Sequence, residues 1–174
     1  PQGVELDLAE LVRRAIDEMQ QLAQERGITI RSGLQPVCVC GVEDQLQMLV
    51  VNLISNAVCY SYPGGQVDVD CGSGDTGEAT FKVQDRGIGI QAEKLPHIFT
   101  EYYRTDEGAQ FNRESSGLGL AIVRHVAESH RILLRVESAP GAGATFTLRF
   151  PTPTDVPAVP ALAEEARHGI PAHR

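Results

Sequence analysis

VQDRGIGIQAEKL, Val83 to Leu95, sets two glycines after an apolar strand and ahead of a polar helix start, with Asp85 two residues before the first glycine. Gly87, Gly89 and Ala92 fit G-x-G-x-x-A, the pattern first tested against a dinucleotide-binding unit. Such a unit needs a second parallel strand after the next helix, with an acidic residue roughly twenty positions on. The corresponding region, around Asp106 and Glu107, is a polar stretch without apolar periodicity, so the dinucleotide reading fails on context. A phosphate loop of the G-x-x-x-x-G-K-[ST] kind is absent, because no glycine-lysine pair occurs.

Two further glycine loops follow, SSGLGLAIV (Ser115 to Val123) at the start of a helix and SAPGAGATF (Ser138 to Phe146) before the last strand. Glycine lets backbone N–H groups come close to phosphate, and the positive end of a helix dipole at Gly117 to Leu120 attracts anionic oxygens. Three such loops predict a nucleotide polyphosphate. Asn52 and Asn56, spaced i, i+4, share one face of the preceding helix, where asparagine is disfavoured by propensity. Such a pair either serves a ligand or faces solvent.

The chain has 174 residues, 42% of them hydrophobic, enough for one domain with its own core. Its net charge of -8, with no block of Lys or Arg, opposes phosphate backbones and anionic lipid, which excludes nucleic acid and direct membrane contact as expected partners. The apolar runs, such as Leu46 to Val51 and Gly117 to Val123, are too short to span a bilayer, and no secretory signal opens the chain. It begins at Pro1 without a methionine, so we expect a piece of a longer protein, one with room for membrane spans. Cys38, Cys40, Cys59 and Cys71 form no C-x-x-C pair and read as reduced, cytosolic thiols. Cys38 and Cys40 alternate along PVCVC and are expected to fill one apolar face of a strand. The histidines His97, His125, His130, His168 and His173 are scattered, without an evident ligand partner.

Helical periodicity predicts a first helix from about Leu8 to Arg26, with Asp7 and Glu10 as a capping box and Gly27 at its end, and a second from about Glu43 to Cys59. ITIRS and PVCVC read as short strands. QVDVD and ATFKVQD read as a hairpin, as do ILLRVES and ATFTLRF. Between the hairpins lie a short helix near Ala92 to Phe99, a mobile loop through TDEGAQFNRESSG, and a helix from Leu118 to His130. Beyond Phe150 the Pro/Ala-rich residues 151–174 read as a tail or linker.

In order and spacing, NLISNAVCYSYPGG, DRGIGI, LPHIFTEYYRTD, SSGLGLAIVRHVAESH and SAPGAGATFTL resemble the asparagine box, first glycine box, phenylalanine box, second glycine box and final glycine turn of bacterial sensor histidine kinases. The likeness covers about Leu6 to Phe150 and assigns residues 1–150 to a catalytic ATP-binding domain. It implies the Bergerat fold of the superfamily shared with gyrase, mismatch-repair and heat-shock-chaperone ATPases. This is an α/β two-layer sandwich, a mixed, mostly antiparallel sheet with helices on one face and a flexible ATP lid at about 101–116.

Carried over by position, the resemblance makes Asn56 the ligand of Mg²⁺, a hard cation suited to oxygen. It places Asn52 at the phosphates and Asp85 as acceptor for the adenine amino group. Gly87 and Gly89 would let the chain pass close to base and sugar, and Tyr60 would pack on adenine. Ile90, Gly117, Leu118, Gly119, Leu120 and Thr145 complete the implied ATP site. Arg104 and Arg113 border the lid as candidates for the terminal phosphate, where guanidinium forks suit oxyanions.

Gyrase-like members activate water with a glutamate one turn before the metal asparagine; here that position is Asn52, which cannot act as a base near neutral pH. Transfer to an acceptor that brings its own nucleophile needs only positioning and charge stabilisation. The resemblance therefore implies a kinase. It would act on a histidine of an upstream phosphoacceptor helical hairpin, in the same protein or its dimer partner, with a response regulator downstream. No histidine here sits in the H-[ED]-x-x-[NT]-P setting of that acceptor. Two positions depart from the pattern: Cys59 stands where a lysine usually faces the phosphates, and His130-Arg131-Ile132 replaces the usual glycines after the long helix. A degenerate nucleotide-binding module docking on a partner, and an anti-sigma-type serine kinase, are the alternative readings.

Overall fold

In the computed structural model, which describes residues 3–112 and 117–152, a short strand β1 (Val4–Asp7) leads directly into α1 (Leu8–Glu25). Asp7 starts this helix from extended backbone, and its carboxylate accepts from Ala9 N at 3.0 Å. Glu10, the expected second half of a capping box, pairs with Arg13 instead. The apolar stripe Leu8, Leu11, Val12, Ala15 and Ile16 is buried, as its spacing predicts. β2 (Thr29–Leu34) and β3 (Cys38–Gly41) follow, then α2 (Glu43–Tyr60), which buries Leu46, Leu49, Val50, Leu53 and Ala57, joined by Ile54 and Val58.

β4 (Gln66–Ser73) and β5 (Ala79–Gln84) form the first predicted hairpin, and β6 (Leu133–Ser138) and β7 (Ala144–Arg149) the second. Five strands join in the order β2-β4-β5-β7-β6; β2 runs parallel to β4 and the other pairs are antiparallel. One face carries Val67, Val69, Phe81, Val83, Phe146 and Leu148, all buried. The alternating Thr80, Lys82, Thr145 and Thr147 turn to the other side. Against the apolar face lie α1, α2 and α4 (Gly119–Ser129), with α2 packed between the other two. The result is the expected two-layer α/β sandwich with a mixed sheet.

Three expectations need correction. Cys38 and Cys40 do share a face of β3, but it is the exposed one; Val39 and Gly41 point inward, Gly41 toward Leu46 and His130. The helix predicted near Ala92 is a 3₁₀ helix, Ala92–His97. The stretch predicted as a loop holds a helix, α3 (Asp106–Phe111), capped by Thr105 Oγ1, which accepts from Gly108 N at 2.9 Å. A Lys94–Glu107 ion pair at 2.9 Å ties α3 to the 3₁₀ helix, and the Phe111 ring meets Tyr62 edge-on at 5.8 Å. Arg113 and the rest of 113–116, like the tail from 153 on, lie outside the described residues.

His130 and Arg131 replace glycines without undoing the turn. Arg131 takes the left-handed φ of 56° that glycine favours, and Ile132 N and Arg131 N return to Ala127 O and Glu128 O. His130 gains a task of its own. Val42 N, which opens α2 without a side-chain cap, donates to His130 Nε2 at 3.1 Å, and the ring's Nδ1–H donates to Val126 O at 2.9 Å. His130→Ala leaves the Val42 amide without its partner and should cost about 1–3 kcal/mol. Urea unfolding checks this, and an unchanged midpoint would refute it.

Candidate functional site

The end of α2, the start of α4 and the three glycine loops enclose a cavity of about 420 Å³, a size typical of small-molecule sites. Its base is a stitched pair of loops. Asp85 N donates to Ala144 O at 2.9 Å, Gly141 N to Ile88 O at 2.8 Å and Ile90 N to Ser138 Oγ at 2.9 Å. Ile88 N donates to Tyr60 O at 3.1 Å, which fixes the same loop to the last residue of α2.

The glycines serve that stitching. A Cβ on Gly87 would lie 1.8 Å from Tyr60 O, one on Gly89 1.9 Å from Ala139 O, and one on Gly143 2.1 Å from Asp85 O. These approaches of backbone to backbone give the cavity its shape. Gly119 plays the same part between helices, since a Cβ there would stand 2.9 Å from Asn52 Oδ1.

Asp85 is only 5% exposed. Its Oδ1 accepts from Gly87 N at 2.9 Å and Ala144 N at 3.2 Å. Burial pushes its carboxyl up to about 6, against the pull of those two amides. A buried acceptor fixed on one oxygen, in a cavity wall, is equipped to read a donor on a ligand. On α2, Asn52 and Asn56 both line the cavity; Asn52 Nδ2 donates to Met48 O at 2.8 Å, which holds that side chain against its own helix. Gly117, Gly119 and Leu120 bring the start of α4 to the wall, where the positive end of the helix dipole favours an anion.

Of the site residues expected from sequence, Asn52, Asn56, Tyr60, Asp85, Gly89, Ile90, Arg104, Gly117, Gly119 and Leu120 line this one cavity. Gly87, Leu118 and Thr145 do not. Thr145 lies between Ala144 and Phe146, which do reach it, and strand alternation turns the threonine to the far face. The lining residues that went unread in the sequence include Arg26, Ile88 and Asn112. Asn112 is buried and meets two guanidiniums, Arg104 Nη2 at its carbonyl oxygen and Arg26 Nη2 at its Oδ1, 3.4 Å away. Arg26 Nη1 also donates to Cys59 O at 3.3 Å.

Residues 41–154 match the family model for histidine kinase-, DNA gyrase B- and HSP90-like ATPases, well over half of the chain. The chain belongs to that family. Within this ATPase family its relatives are sensor kinases. The sensor histidine kinase RppB of Synechocystis is 40% identical over 146 residues, 83% of this chain and 32% of that protein. YkoH of Bacillus subtilis, also a sensor histidine kinase, is 33% identical over 153 residues, 86% of this chain and 33% of that protein. The chain thus spans about a third of the length of these curated relatives. Among solved structures, the mycobacterial sensor histidine kinase MprB superposes with a TM-score of 0.75 at 28% identity, covering 86% of this chain and 97% of that one. Full-length ShkA, in complex with AMPPNP, gives 0.73 at 28% identity over 86% of this chain and 31% of that one. The ATPase family's fold and the expected architecture agree. Among the described residues, no helix is long and apolar enough to cross a membrane.

Proposed function

We propose that this ATPase domain binds Mg-ATP and passes the γ-phosphate to a histidine on a phosphoacceptor helical hairpin, as the catalytic part of a cytoplasmic two-component signalling kinase. The observation that carries this reading is the polarity of the cavity. One buried carboxylate, Asp85, is fixed for a base donor, and the remaining wall offers the start of α4 and two guanidiniums for phosphate.

Mg²⁺ fits the donor set only as a partner of phosphate. Among the described residues no cluster of three or more His, Cys, Asp or Glu could hold a metal by itself, and Asn56 offers a single neutral amide oxygen in the cavity. Mg²⁺ keeps several waters and commonly takes its other oxygens from the nucleotide. Bound there, it would supply charge neutralisation at the transferring phosphoryl group. Asn56 would orient that end of the nucleotide. Asn52, held by Met48 O, supplies no base, so water inside the cavity stays a poor nucleophile. The acceptor imidazole needs no such base, and positioning with charge stabilisation suffices. The phosphorylated histidine would then serve a response regulator.

The chain alone with Mg-ATP should neither label itself nor hydrolyse ATP appreciably. Joined to the phosphoacceptor hairpin of its full-length protein, it should place on that hairpin a phosphate that is lost in acid and kept in base. An acid-stable label would instead favour the serine-kinase reading. No label from the joined chain would leave a degenerate nucleotide-binding module.

A further inference from the structure

We propose that Arg26, at the end of α1 and outside every glycine or asparagine motif, is a phosphate-binding residue of this site and sets its preference for nucleoside polyphosphates over the nucleoside. The proposal rests on the nucleotide reading above. Position 59, at the end of α2, carries a cysteine, and Arg26 brings a cation to that place from a different helix.

The arginine is half-buried and, among the described residues, held by neutral acceptors alone, Cys59 O at 3.3 Å and Asn112 Oδ1 at 3.4 Å. Both distances lie beyond the usual range for N–H···O bonds, and a guanidinium offers five donors. Arg104 shows a related deficit at the same asparagine: its Nη2 donates to Asn112 O, while its Nε is buried with no hydrogen-bond partner among the described residues. A buried charged donor left unpaired is costly, and such groups in native structures call for an explanation.

The chain has acid to spare, with 23 Asp and Glu against 15 Lys and Arg. Arg13, Arg14, Arg86, Arg124, Arg135 and Arg149 each find a carboxylate. Among the described residues, Arg26, Arg31, Arg104 and Arg131 form no ion pair, and of these only Arg26 and Arg104 line the cavity. The cavity's own carboxylate, Asp85, is engaged by Gly87 N and Ala144 N. Two uncompensated guanidiniums meeting on the single residue Asn112 define an anion site. A polyphosphate would compete with the Asn112 oxygens for the same forked donors and return charge-assisted bonds in place of neutral ones.

Calorimetric titration of ATP, with adenosine followed by ligand-observed NMR, tests this on wild type, Arg26→Gln and Arg26→Lys. Arg26→Gln should weaken ATP about 10- to 100-fold, the loss expected for one charge-assisted hydrogen bond, and leave adenosine within about twofold. Arg26→Lys, which keeps the charge and loses the fork, should fall between. Equal losses for ATP and adenosine would reduce Arg26 to a support of the fold and overturn the proposal, as would unchanged ATP affinity. A wild-type chain that binds neither ligand would instead overturn the nucleotide reading, and this inference with it.

Discussion

Asp85→Asn should abolish nucleotide binding and, at the same time, make the protein more stable. The substitution keeps the shape of the side chain, and an amide oxygen can still accept from Gly87 N and Ala144 N. The second oxygen becomes an NH₂ group, which meets the adenine amino donor with another donor. Losing a charged acceptor and leaving a donor unpaired should together cost about 3 kcal/mol or more, at least 100-fold in affinity. Stability moves the other way because the native carboxylate is buried at a price. With the carboxyl raised from 3.8 to about 6, the folded state holds its proton more tightly than the unfolded chain does.

The sign of the pH dependence follows from that difference. The contribution of Asp85 to stability is greatest below about pH 3.8, declines as pH rises toward about 6, and above that stands as a penalty on the order of 3 kcal/mol. Asp85→Asn removes the penalty, so its melting temperature should exceed that of wild type at pH 8 and the gap should narrow at pH 5. Wild-type affinity for adenosine, which has no phosphate to titrate, should fall as pH drops below about 6, because a protonated Asp85 gives up its free acceptor. Retained ATP binding in Asp85→Asn would refute the base-recognition role. A lower melting temperature at pH 8 would refute the burial cost.

The elements that could be read from sequence are those whose burial repeats. In α1 and α2 the stripes Leu8-Leu11-Val12-Ala15 and Leu46-Leu49-Val50-Leu53 follow helical spacing because each presents one side to a continuous core. β1 gave no such signal: four residues, none fully buried, gain their structure only by pairing with β3. α3 buries only Gly108, so hydrophobic periodicity could not reveal it; its trace is local, Thr105 followed by Asp106 and Glu107, a cap with an acidic first turn. For Cys38 and Cys40 alternation correctly put both on one face, but which face meets solvent is set by distant packing, with Gly41 turned toward Leu46 and His130.

The candidate site divides along the same line. Asn56, Asp85, Gly89 and Gly119 could be found because each belongs to a short pattern with fixed spacing. Arg26 and Asn112 belong to none. They lie 86 residues apart in the chain and meet only because α1 and α3 converge beside the end of α2. Thr145 shows the reverse: its motif is intact, but pattern matching does not say which alternating neighbours face the cavity, and here those are Ala144 and Phe146.

Gly87→Ala should be the most damaging single methyl group in the chain, and the reason is contact rather than conformation. Gly87 does not occupy the left-handed region, so alanine could adopt its backbone angles. The new Cβ would nevertheless lie 1.8 Å from Tyr60 O and 2.6 Å from Tyr60 C, both backbone atoms that no rotamer change can move aside. Relief requires parting the 86–90 loop from the end of α2, which breaks the Ile88 N to Tyr60 O bond and carries Asp85 away from Gly87 N. Overpacking of a rigid contact combined with a broken buried network should exceed about 4 kcal/mol, in the rare tail of single substitutions. Gly64→Ala is the matched comparison: φ there is +82°, so alanine is strained, but nothing lies within 4 Å of its Cβ. That variant should lose only about 1–2 kcal/mol, the cost of a left-handed residue alone. Chemical unfolding of the two side by side separates the effects. If Gly64→Ala proved as harmful as Gly87→Ala, backbone conformation and not close approach would govern the first glycine loop, and the stitched floor of the cavity would lose its structural basis.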